Sequence, residues 1–109
     1  MSTAKERETF YDDEVAPLLA ELSRKCTAAG LSFLAVVEWA PGDTGRTLGL
    51  VSGSGFGIRM ADAAAKASGN VDSFMFALMR YAREHGHSSA ILHQLGVPLT
   101  PGEPPHEIQ

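Results

Sequence analysis

The chain has 109 residues, 44% of them hydrophobic and 20% charged, with a formal net charge of −4. That length serves one small core and excludes a TIM barrel or a complete dinucleotide-binding fold, which need roughly 250 and well over 100 residues. Nine basic residues against thirteen acidic ones argue against a general nucleic-acid backbone binder and favour a chemically specific partner.

The N-terminus, Met1 to Glu8, is polar and mixed in charge, unlike a secretory leader. No apolar run approaches the ~20 residues of a membrane helix. The expectation is a cytoplasmic protein without membrane insertion. Val15, Leu18, Leu19, Leu22, Cys26 and Ala29 then recur at helical spacing and predict one apolar helix face. Asp12, Asp13 and Glu14 suit the positive end of that helix, and Gly30 suits its stop. Pro17 is tolerated only near a first turn, so the helix begins there or bends there. Cys26 is the only cysteine, which rules out an internal disulfide and a thiolate zinc cluster. Its place on the apolar face predicts a buried, inert thiol.

Leu31 to Trp39 alternates with period two and is largely apolar on both faces, which predicts a central strand. The turn-forming stretch Ala40 to Gly45 and a return strand, Arg46 to Ser52, complete a hairpin. A glycine-rich stretch, Ser52 to Gly57, precedes a helix at about Ile58 to Ser68. Asn70 caps a further helix, Val71 to His85, whose core side is Val71, Phe74, Met75, Leu78 and Ala82. Ser88 to Leu95 is expected to be a third strand. Gly96 to Gln109 holds four of the six prolines and reads as a tail.

The order α-β-β-α-α-β implies a two-layer α+β domain spanning residues 13–95, with residues 1–12 and 96–109 poorly packed. The expected sheet has three mainly antiparallel strands in order 2-1-3, with helices on one face. Its other face then lacks cover, which points to a homodimer.

Three constellations bear on chemistry. Gly53, Gly55 and Gly57 sit between a strand and a helix, where a glycine turn can cradle a phosphate. Ile58 and the lack of a nearby lysine break both the dinucleotide and P-loop patterns, so a small-ligand or nucleotide-binding loop is the alternative reading. His85, His87 and His93 straddle a helix end without a carboxylate at ligand spacing. No metal or cofactor is assigned to them, and capping and surface roles are preferred. No serine sits on a nucleophile elbow and no carboxylate pair is brought together, so no catalytic residue is assigned.

The remaining feature is a misplaced aromatic. Phe76 lies about 150° from the centre of its helix's core face, beside Arg80 and Arg83. Aromatic and arginine residues together are the composition of a protein-binding hot spot. Trp39, Phe56 and Arg59 are secondary candidates for the same role.

The segments Pro17-LLAELSRKC-Thr27, Ser32-FLAVVEWAPG-Asp43 and Asn70-VDSFMFALMRYAREHGHSSAILHQLGV-Pro98 resemble small early and accessory proteins of Mu-like transposable bacteriophages and prophages. The likeness runs from Val15 to Pro98, in whole segments rather than in a catalytic signature. One member of that group binds and inhibits a host type IV pilus assembly ATPase. The resemblance implies a non-enzymatic protein that acts in the host cytoplasm by binding a host protein, and it carries over no binding residue.

Overall fold

The structure, a computed structural model, describes residues 2–102. In chain order it contains helix α1 (Ala4–Phe10), a π-helical turn (Tyr11–Val15), α2 (Ala16–Ala28), strands β1 (Phe33–Ala40) and β2 (Asp43–Gly49), then α3 (Phe56–Ala67), α4 (Val71–His85) and α5 (Ala90–Gln94). The class is α+β. Its contacts fall into two compact units, Met1–Gly69 and Asn70–Gln109, where a single domain over residues 13–95 was expected.

In the first unit, α1 is opened by Thr3, whose hydroxyl accepts the Glu6 N–H at 3.1 Å. The π turn follows from Pro17, the second residue of α2. A proline ring clashes with the carbonyl four residues back and donates no hydrogen bond. Widening the preceding turn relieves that clash, and the Ala16 N–H reaches back five residues to the Tyr11 carbonyl. At the far end, Leu31 N–H bonds to the Cys26 carbonyl at 2.7 Å and Gly30 N–H to the Thr27 carbonyl at 3.1 Å. With Gly30 at φ +83°, these bonds form a Schellman cap.

β1 and β2 pair antiparallel, from Phe33 opposite Gly49 to Glu38 opposite Thr44, with a register irregularity between Glu38 and Ala40. Gly45 and Gly49 leave room on one face of β2. Tyr11 lies directly over Gly45, and a methyl group at Gly49 would stand 2.5 Å from Ser23 Oγ and 2.7 Å from Thr27 Cγ2. The small residues of α2 therefore approach the strand closely, and Ser23 is buried. This rotates α2 relative to the expected face. Leu18 and Leu22 remain 66% and 46% exposed, and Cys26 is only half-buried.

The opposite face of the hairpin carries α3. The Arg46 guanidinium meets Asp62 at 2.6 Å, Lys66 Nζ meets its other oxygen at 3.2 Å, and Asp62 is buried. Val36 and Thr44 share a hollow with Ala64 and Ala65. Helices thus cover both faces of the hairpin, which corrects the expectation of helices on one face. It also explains why β1 is apolar on both sides without being the centre of a three-stranded sheet.

The second unit corrects the expected third strand. Ser88 to Leu95 contains α5, because Ser89 Oγ accepts the Leu92 N–H at 3.1 Å and Gly96 closes the helix. Gly96, at φ +95°, donates to the His93 carbonyl, and Val97 donates to the Leu92 carbonyl at 3.0 Å. Leu92 and Val97 are both buried, the apolar contact that accompanies a Schellman cap. The sheet is accordingly two-stranded, in order β1-β2.

Within the two ends expected to be poorly packed, α1 has no buried residue, whereas Tyr11, Val97 and Pro98 are buried. Tyr11 is buried against Trp39, with ring centroids 5.3 Å apart. Residues 97–101 fold back on the end of α4, where His87 N–H bonds to the Leu99 carbonyl at 3.1 Å. Residues 103–109 of the expected tail lie outside the described residues.

Candidate functional site

α4 has the limits its sequence predicts. Asn70 Oδ1 accepts the Ser73 N–H at 3.0 Å, and Gly86 stops the helix at φ +83°. Phe74, Met75 and Leu78 are partly buried and Ala82 is fully buried, whereas Val71, expected on the same side, is exposed at the first position. Phe76 is 66% exposed, and Arg80 and Arg83 are exposed with it. No hydrogen bond, ion pair or ring contact engages Phe76, Arg80 or Arg83 among the described residues. Their hydrogen-bonding and apolar capacity is therefore directed outward.

The secondary candidates are placed differently. Trp39 packs on Tyr11, and its carbonyl accepts Arg7 Nε at 2.6 Å, so it belongs to the packing of its own unit. Phe56 and Arg59 are partly buried in the first turn of α3. Gly53 adopts φ +80°, which only glycine tolerates readily. Gly55 is the N-cap of α3, and Gly57 lies within that helix. A turn accounts for Gly53, and the Ser54 hydroxyl beside it is buried without a hydrogen-bond partner among the described residues.

His85 and His87 have separate roles, and His93 stands in the last turn of α5. His85 stacks on Tyr81, with ring centroids 4.4 Å apart, and lies 3.9 Å from Glu84. His87 Nδ1 accepts the Ser89 N–H at 2.9 Å, which places its proton on Nε2, 3.0 Å from the Val97 carbonyl. Among the described residues, no group of three or more His, Cys, Asp or Glu side chains could hold a metal ion. No helix among them is long and apolar enough to cross a membrane.

A groove of about 540 Å³, lined among others by Arg7, Phe10, Tyr11, Val15, Val37 and Trp39, runs between α1 and the end of β1. Sequence reasoning missed it because residues 1–12 were set aside. The signal available was the capping box of Thr3 and Glu6, which announces a helix before Tyr11. Glu6 and Glu38 stand on its rim, and the Arg7 guanidinium is held by the carbonyls of Ser2 and Trp39, both at 2.6 Å.

The chain thus offers two kinds of surface, an outward aromatic–arginine face on α4 and an aromatic groove beside α1. Comparison with protein families, with curated proteins and with solved structures returns no match.

Proposed function

We propose that the chain is a non-enzymatic binding protein that acts in the host cytoplasm by engaging and inhibiting a host protein. The resemblance to early proteins of Mu-like phages makes a type IV pilus assembly ATPase the partner to test first. The observation that carries the reading is the outward face of α4, where Phe76 is 66% exposed beside two arginines without partners among the described residues. An exposed aromatic flanked by guanidinium groups gains most when a partner covers it, because the ring is desolvated and each arginine offers several donors. Such a face fits an apolar pocket rimmed by carboxylates.

The test is a calorimetric titration of purified pilus assembly ATPase with the full chain and with the double variant Phe76→Ala, Arg80→Ala. The variant is expected to bind at least about 30-fold more weakly, the loss of one hot spot. An unchanged affinity in the variant would refute the contact face. Absence of binding by the unaltered chain would refute the partner.

A further inference from the structure

We infer that a second copy of this chain docks on the outward face of the N-terminal helices. That face is self-complementary when the two helices run antiparallel. Leu18 and Leu22 are 66% and 46% exposed on the side of α2 opposite Ser23 and Thr27, the residues that approach β2, and Phe10, at the mouth of the groove beside α1, is 63% exposed. At about 100° per residue, Leu22 and Lys25 fall within roughly 40° of Leu18, and Glu14 lies one turn before it. Glu14 and Lys25 are exposed and have no partner among the described residues. The surface is therefore an apolar stripe with an acidic residue near one end and a basic residue near the other.

Oppositely charged ends on an apolar stripe select one arrangement of two copies. A two-fold axis at the level of Ala20 sets Leu18 of each copy against Leu22 of the other. It also brings each Glu14 level with Lys25 of the other copy, to within about one residue or 1.5 Å of rise. Phe10 then faces the corner at Gly30 and Leu31, and Leu31 is 57% exposed. A parallel pair would instead set Glu14 against Glu14 and Lys25 against Lys25. Glu21, on the flank of the stripe, comes within two residues, about 3 Å of rise, of its own counterpart and opposes association.

This surface differs from the sheet face that sequence reasoning assigned to a dimer, since α3 occupies that face. It also lies in a different compact unit from Phe76, Arg80 and Arg83, so a failure here leaves the α4 reading intact.

Sedimentation equilibrium of the full chain tests the inference. The expected mass is twice 11.6 kDa at high concentration, and Leu18→Glu is expected to return the monomer with an unchanged circular dichroism spectrum. Glu14→Lys or Lys25→Glu alone should weaken the dimer roughly tenfold, because the symmetry repeats each change. The combination Glu14→Lys, Lys25→Glu should restore it, and Glu21→Gln should tighten it. A monomer at every concentration would overturn the inference. So would a dimer that survives Leu18→Glu, or a double charge reversal no tighter than either single change.

Discussion

Replacing Gly45 by alanine tests the packing of the first unit, because two effects of opposite sign compete there. Gly45 lies on β2 outside the left-handed region, so alanine is conformationally acceptable. On propensity alone it would stabilise the strand by roughly 0.5–1 kcal/mol. The added methyl group, however, would occupy the space of Tyr11 Cε1, Cζ and Oη. The Tyr11 ring is buried and rests on Trp39, so it has little freedom to retreat. Overpacking of this kind costs about 1–3 kcal/mol, and loss of the aromatic pair adds about 0.5–1.5 kcal/mol.

The net expectation is a destabilisation of about 1–3 kcal/mol, with the melting temperature of the unit lowered by roughly 5–15 °C. Trp39 is the only tryptophan and touches Tyr11, so its fluorescence during urea unfolding reports this unit directly. Tyr11→Ala alone should cost about 3–5 kcal/mol by leaving a cavity. In the double variant the new methyl group enters that cavity, so the combined loss should fall short of the sum by about 1–2 kcal/mol. A Gly45→Ala protein more stable than the original, or strict additivity with Tyr11→Ala, would refute the packing argument.

The other expectations concern single polar groups. Asp62→Ala should cost about 1–3 kcal/mol in the same urea assay, below the usual loss for a buried pair because the Arg46 side chain stays 32% exposed; Lys66→Ala should cost less than about 0.5 kcal/mol. His87→Ala should destabilise the second unit by about 1–3 kcal/mol and raise the exchange rate of the Ser89 amide. His87→Asn should preserve that protection, since an asparagine oxygen can accept the same N–H two residues on. Ser54→Ala removes a buried hydroxyl without a partner and should raise the urea midpoint slightly, by up to about 1 kcal/mol of stability; a lower midpoint would show that the hydroxyl is hydrogen-bonded in solution.

Much of the local structure was legible in the sequence because its signals are short-range. Asn70 and Gly86 bracket α4 as read, Gly30 ends α2, and the period-two run Leu31 to Trp39 holds a strand, which starts at Phe33. Ser89 and Gly96 carried equally good signals for α5, but the apolar run between them is too short for periodicity to separate a helical turn from a strand. The rotation of α2 was not legible, since it depends on Gly45 and Gly49 lying under Tyr11 and Ser23, a match across more than 20 residues. The apolar character of both faces of β1 was read correctly but explained by the wrong neighbour, a strand in place of α3. At the candidate site, the exposure of Phe76 followed from helical phase alone. The groove did not, because it needs α1 and β1 brought together.

The π turn also bears on which changes of chain length the first unit tolerates. A π turn is an α-helical turn holding one residue more, and that surplus residue takes up about 100° of helical phase. Deleting a residue elsewhere between Ala4 and Ala28 would swing one half of the helix off the glycines of β2. Deleting Asp13, within Tyr11–Val15, removes only the surplus and keeps Tyr11 and Ser23 above the same strand. Pro17 would then meet the carbonyl that the wide turn avoids, so this deletion requires Pro17→Ala. Proline and surplus residue form a matched pair, dispensable together and costly to remove apart.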